Sequence, residues 1–236
     1  MARTPSREPH ADDVGQHHMH TLQTDILGPV RVFPFSSAEK GEGDAVAIVA
    51  GTPETTPKTA PAPLLRMHSR CLYGELLKSR DCDCLAQYEE AIRLILDERA
   101  GIICYLEQEG RGKGLISKAL AYEYQERNRV DTVEAYSRLH YELDQRGYSH
   151  VASFLRSLGI TRVRLITNNP RKVQALQDAD IAVQRIPVVV GVNHWNIHYI
   201  ETKRDKLGHL FDVIDLPSEG RTSEADSGEG STKSRP

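Results

Sequence analysis

From Leu64 onward, short apolar runs alternate with stretches whose apolar side chains recur every three or four residues. A chain patterned in this way folds as a layered α/β domain. LLRMHS (64–69), GIICYLE (101–107), VRLIT (163–167) and the run 181–191 read as strands. Between them, residues 84–100 read as a helix whose apolar face comprises Leu85, Tyr88, Ile92, Ile95 and Leu96. Further helices are expected from Leu115, over 149–159 with a terminal glycine, and over 170–179 with Pro170 in the first turn. Upstream, DAVAIVAG (44–51) is a short strand and the Pro- and Thr-rich stretch 52–63 a connector. There is no internal repeat.

A length of 236 residues suits one sizeable domain with tails, or a large and a small lobe. Residues 1–21 and 213–236 are polar and lack periodicity, so both are expected to be disordered tails around a folded domain at 22–212. No run approaches the roughly 18 consecutive apolar residues of a membrane helix, and the N-terminus has no apolar signal region. A cytoplasmic protein without a membrane partner is the expectation. The net charge of −3 gives no general basic surface, so nucleic acid is not an expected partner, although local cations can still hold phosphates.

Three of the four cysteines, Cys71, Cys82 and Cys84, fall within fourteen residues. In a cytosolic chain such clustering indicates metal or redox chemistry before a disulfide framework. If the Cys-x-Cys pair is extended, both sulfurs point to one side, and a third thiolate from upstream can close on the same ion. Three ligands leave one position open, the arrangement of a catalytic zinc with an acidified water. A structural zinc with His68 as fourth ligand, or three buried thiols without metal, would show the same spacing. Cys104, among Ile102, Ile103 and Tyr105, reads as a core residue.

Other segments have a chemical and a plain reading. QEGRGKG (108–114) is a Gly-rich turn whose amides, with Arg111 or Lys113, can receive phosphate oxygens, or it is simply a tight connection. ITNNPRK (166–172) offers Thr167 and Lys172 to an anion at a helix start, or is an Asn-rich cap. Asp144 and Arg146 reach the same side only if their segment is loop or strand, and otherwise form a solvated pair. His10, His17, His18 and His20 lie in the expected tail without acidic or cysteine partners, so they are not read as a metal site.

RMHSRCLYGE, DCDC, QEGRGKGL, DTVEA, DQR and TNNPRK occur in that order, and over residues 22–210 the chain resembles the GTP cyclohydrolase II family. The resemblance implies a mixed β-sheet flanked by helices and a zinc-dependent hydrolase that opens the imidazole ring of GTP. The implied products are formate, diphosphate and 2,5-diamino-6-ribosylamino-4(3H)-pyrimidinone 5′-phosphate. It places one Zn²⁺ per subunit on Cys71, Cys82 and Cys84, and a proton acceptor and a proposed nucleophile on Asp144 and Arg146. Because an arginine stays protonated, Arg146 can alternatively stabilise phosphoryl charge. Tyr122 falls where the family has a tyrosine near the purine. Implied GTP contacts are Arg66, Met67, His68, Ser69, Arg70, Gln87, Glu109, Gly110, Arg111, Thr132, Thr167 and Lys172, with Mg²⁺ accompanying the triphosphate. The Asn and Tyr residues of 193–211, similar to the family's C-terminal signature, are read as structural.

The resemblance also implies a homodimer and the stand-alone rather than the fused form. Two positions depart from the family's usual pattern: Arg70 where glutamate is usual, and Tyr73 where threonine is usual. An added cation there would tighten triphosphate binding or acidify the metal's water, and a new aromatic would narrow the pocket. These departures keep open a paralogue with a formylated product or another substrate in a secondary-metabolite pathway, and a catalytically silent nucleotide sensor.

Overall fold

A computed structural model describes residues 19–211. The expected tails, apart from residues 19–21, lie outside the described residues. Elements run β1 (His20–Thr24), β2 (Gly28–Ser37), β3 (Gly43–Ala50), β4 (Leu64–Ser69), α1 (Leu72–Glu75), α2 (Cys84–Glu98) and β5 (Gly101–Leu106). They continue with α3 (Gly114–Asn128), α4 (Thr132–Arg138), α5 (Ser149–Ser157), β6 (Arg162–Ile166), α6 (Pro170–Gln177), β7 (Ala182–Ile186) and α7 (Ile197–Asp205).

The strands form one mixed seven-stranded sheet in the order β1-β2-β3-β5-β4-β6-β7. From β1 to β5 the neighbours are antiparallel, and from β5 to β7 they are parallel. Parallel neighbours need long crossovers, supplied by α2 between β4 and β5 and by α6 between β6 and β7. Side-chain alternation divides the core between the two faces of the sheet. Leu65, Met67, Ile102, Cys104 and Leu106 pack with α5 and α6 residues such as Val151, Leu155 and Leu176. Leu64, Ile103 and Ile166 pack with Ala91, Ile92 and Ile95 of α2. Cys104 is fully buried, as expected, and burial pushes its thiol pKa up.

Several details differ from the sequence expectations. Leu96 is 45% exposed, and Ala91 occupies the buried stripe of α2 in its place. Leu96 is in the final turn, about 100° around the helix from Ile95, and the helix ends at Arg99 in a left-handed conformation (φ 57°). Strands β1 and β2 carry too little signal to be read. HTLQT is an exposed edge strand, and Pro29 and Pro34 interrupt the pattern of GPVRVFPFSS. His20 opens β1 rather than lying in a tail; the other three N-terminal histidines lie outside the described residues. No helix among the described residues is long and apolar enough to cross a membrane.

Candidate active site

Strand β4 leads across to β5 on one side, while β6, on its other side, leads on to β7. Chains that diverge in this way leave a crevice at the carboxyl ends of the parallel strands. A cavity of about 460 Å³ lies there, lined by residues following β4, β5 and β6, including Cys71, Glu109 and Thr167. It brings together Cys71, Cys82, Cys84, Tyr122, Asp144 and Arg146 with all of the expected GTP contacts except Met67. Strand alternation turns the Met67 side chain into the core on the opposite face, so Met67 reaches this side only through its backbone, where its carbonyl accepts a hydrogen bond from Lys172 Nζ at 2.7 Å.

The three cysteine sulfurs lie within 4.8 Å of one another, and Cys71 Sγ is 3.8 Å from Cys82 Sγ. A tetrahedral ion with metal–sulfur bonds of about 2.3 Å separates its sulfurs by about 3.8 Å, so this donor set fits zinc. The Cys-x-Cys pair is not extended: Cys84 is the first residue of α2, Asp83 is its cap at φ −100° and ψ 10°, and Cys82 precedes them in a loop. The thiolate therefore benefits from the helix N-terminus rather than from strand alternation. Cys71 caps α1, with its sulfur accepting the Gly74 N–H at 3.4 Å. Hydrogen bonds from the neighbouring thiols, together with Lys118 and the Gly74 N–H, hold the Cys71 thiol far below its ordinary pKa. In turn, Cys71 pushes Cys82 up to about 11 and Cys84 well up.

His68 does not supply a fourth ligand. Its Nε2 faces Glu75 Oε1 at 3.0 Å and its Nδ1 faces Arg66 Nη2 at 3.4 Å. Burial lowers its pKa to about 4, against the pull of Glu75, so the ring is neutral near pH 7. With Arg66 donating to Nδ1, the proton resides on Nε2 and is donated to Glu75.

Pairing between β4 and β6 stops after Leu65 and Leu165, and the strands then splay. Two basic side chains fill the gap. Arg66 donates from Nη1 to the Ile166 carbonyl at 3.0 Å and from Nη2 to Gln87 Oε1 at 2.9 Å. Burial lowers its pKa to about 10, which leaves it charged. Lys172 closes the other side through Met67, and burial beside Arg66 and Arg146 pushes its pKa well down. The ITNNPRK segment also does what its plain reading expects, since Asn169 caps α6 by accepting the Arg171 N–H at 2.9 Å.

Asp144 and Arg146 lie in the loop before α5, as a joint role requires. The guanidinium donates from Nε to Oδ1 at 2.9 Å and from Nη2 to Oδ2 at 2.7 Å. Arg171 adds a third contact at 2.9 Å. Burial would raise the Asp144 pKa, but these two arginines hold it at about 2. Burial likewise works against the Arg146 cation, and Tyr148 and Asp144 outweigh it. Opposite, Gly110 and Arg111 both have left-handed backbones (φ 57° and 58°), which turns Arg111 over the Tyr136 ring at 5.5 Å. Its buried Nη1 has no hydrogen-bond partner. Glu109 is engaged on both oxygens, by Lys118 Nζ at 2.7 Å and by the Leu72 N–H at 2.8 Å.

The two departures from the family pattern have different surroundings. Arg70 pairs with Glu107 at 2.7 Å at the half-exposed rim, so its charge is balanced locally rather than added to the sulfur cluster. Tyr73 packs edge-on against Tyr122, with centroids 5.3 Å apart and planes at 89°. Burial raises the Tyr122 pKa, so its phenol keeps its proton.

The family model described as GTP cyclohydrolase II matches residues 16–187. The chain belongs to the GTP cyclohydrolase II family. It is 43% identical over 186 residues to the GTP cyclohydrolase-2 of Shewanella pealeana, covering 78% of this chain and 86% of that protein. It is 52% identical over 149 residues to the GTP cyclohydrolase-2 of Neisseria gonorrhoeae, covering 63% of this chain and 75% of that one. A riboflavin biosynthesis protein of Vibrio vulnificus is 52% identical over 152 residues, which are 64% of this chain and 41% of the relative, so the match spans less than half of that protein.

Several cavity residues of this GTP cyclohydrolase II family member were not legible in the sequence. Helix α7 and the segment after it contribute Tyr199, Lys203, Lys206 and His209. Lys203 pairs with buried Asp83, the residue between Cys82 and Cys84. Burial and the surrounding cations lower the His209 pKa to about 3. Glu75 accepts from the Cys71 N–H and from Tyr105, both at 2.6 Å, and so ties the first cysteine to β5. Tyr199, Lys203, Lys206 and His209 fall in the segment 193–211 that resembles the family's C-terminal signature and is read as structural, and Glu75 ends RMHSRCLYGE. Nothing in the sequence marks them as facing the cavity, since ionisable residues at helical spacing suit a solvated helix equally.

Proposed function

We propose that the protein opens the imidazole ring of GTP and hydrolyses its triphosphate, releasing formate and diphosphate and leaving the diaminopyrimidinone ribosylamine phosphate. The observation that carries this reading is one cavity with three converging cysteine sulfurs and an orientated Asp144–Arg146 pair. A divalent cation held by Cys71, Cys82 and Cys84 would supply Lewis acidity and an acidified water to the purine carbon that leaves as formate. Tyr122, kept protonated by burial and lining the same cavity, would donate a hydrogen bond to the reacting group. Glu109 retains a lone pair on each oxygen for guanine N–H donors. Arg111, with an unpartnered buried Nη1, faces the triphosphate, and Mg²⁺ would arrive on its phosphate oxygens.

Arg146 is read as a fixed cation. Its two parallel bonds to Asp144 aim the guanidinium, and its raised pKa opposes the loss of a proton that nucleophilic attack on phosphorus would need. Asp144, held by two arginines, orients Arg146 in this conformation. A second reading, release of the formylated intermediate, is favoured by one contact: Tyr73 restrains Tyr122 from the edge. Incubation with GTP, Zn²⁺ and Mg²⁺ while formate and diphosphate are measured separately distinguishes them. Equal yields support full ring opening, diphosphate alone supports truncated chemistry, and neither product with nucleotide bound supports a sensor.

The homodimer is proposed on an exposed apolar surface. Leu76 and Leu77, directly after α1, and Ile116 of α3 are 72%, 65% and 75% exposed. Light scattering on the wild type and on Ile116→Asp tests it: a dimer that becomes a monomer is expected, and a wild-type monomer contradicts it.

A further inference from the structure

Lys118 is a charged residue turned into the site from α3. Its Nζ lies 3.2 Å from Cys71 Sγ and 2.7 Å from Glu109 Oε1. It also sits 4.4 Å from the centroid of the Tyr73 ring. The side chains of Lys118 and Glu109 are each only 9% exposed. An ammonium has three N–H bonds, and here sulfur, carboxylate and aromatic face surround it. Gly110 lies close beneath this side chain: a β-carbon there would come within 3.1 Å of Lys118 Cβ.

Charge arithmetic gives the arrangement a purpose. Three thiolates around one divalent cation carry a net negative charge, and buried Glu109 adds another beside them. Among the cations of the cavity, Lys118 is the one that touches both. We infer that Lys118 is the positioning residue that compensates the three-sulfur centre, donating an N–H to Cys71 Sγ while Glu109 and the Tyr73 face hold it in place. An N–H donated to a metal-bound thiolate draws electron density from sulfur, so the metal keeps more positive charge than three free thiolates would leave it. The inference rests on the metal reading proposed above. It also gives Tyr73 a role other than narrowing the pocket: its ring shields the ammonium from water and strengthens the N–H to sulfur contact.

Co²⁺ is the probe, because its sulfur-to-metal charge-transfer band reports directly on the thiolates. Donation from Lys118 lowers the energy of the sulfur lone pair, so Lys118→Met moves the band to longer wavelength. Zn²⁺ affinity, measured by chelator competition, falls about 10- to 100-fold. Lys118→Arg restores both, and Lys118→Gln, with a weaker donor, gives an intermediate shift and covers the case in which the methionine variant does not fold. Arg93→Met breaks exposed ion pairs on α2 without removing a donor to sulfur, and should leave the band in place. An unshifted band and unchanged affinity in folded Lys118→Met or Lys118→Gln overturn the inference alone. A wild-type protein with no such band overturns the metal reading and the inference together.

Discussion

A β-carbon at Gly74 would lie 3.0 Å from Cys82 Sγ and 3.3 Å from Cys71 Sγ. The glycine is therefore required by the sulfurs themselves and not by backbone conformation. Contacts this close are rare for real β-carbons, so Gly74→Ala shifts at least one sulfur by a few tenths of an ångström. The expected result is bound zinc reduced about tenfold or more with secondary structure retained, read by elemental analysis and circular dichroism. Full metal content in this variant would mean that the sulfurs do not share an ion in this arrangement.

Arg146→Lys keeps the charge but loses the fork that takes both oxygens of Asp144. If Arg146 stabilises charge, diphosphate release falls by about 10- to 1000-fold and remains measurable. Complete loss in the lysine variant, with substrate still bound, would favour covalent attack by the guanidinium.

Lys203 and Asp83 form a buried pair, and Asp83 also accepts the Gln87 Nε2 hydrogen bond at 2.6 Å. Lys203→Met leaves the carboxylate without its cation, at a cost of about 3–5 kcal/mol. Adding Asp83→Asn should recover part of it. Denaturant unfolding of the single and double variants measures both values, and additive losses would contradict the pairing.

His68 links stability to pH. Its folded pKa of about 4 is below the ordinary 6.5. Between these values the unfolded chain binds the extra proton, so stability is fully present above about pH 6.5 and declines as pH falls toward 4. The loss is on the order of 3 kcal/mol. His68→Gln should flatten this part of the stability–pH curve, and a variant curve parallel to the wild type would contradict the assignment.

The sequence made the parallel half of the sheet legible, because β4, β5 and β6 are apolar and the helix of residues 84–98 has a clear face. It also raised the three cysteines as candidates and set the condition that Asp144 and Arg146 lie in a loop. The surroundings of these groups were not legible. Lys118 meets Cys71 across 47 residues and Lys203 meets Asp83 across 120, and no local spacing encodes such contacts. The same limit explains Arg66 and Lys172. As sequence they look like free cations for phosphate, whereas the splay of β4 from β6 gives each a carbonyl partner. Cys82 and Cys84 converge through a helix start, a geometry that their one-residue spacing does not distinguish from a strand.

Metal content followed together with formate release tests the central claim most directly. Purified protein should carry one zinc per chain, lose formate release on exhaustive chelation and regain it with Zn²⁺, while Cys82→Ser binds little metal and releases no formate. Protein that contains no transition metal and still releases formate at the full rate would contradict the account.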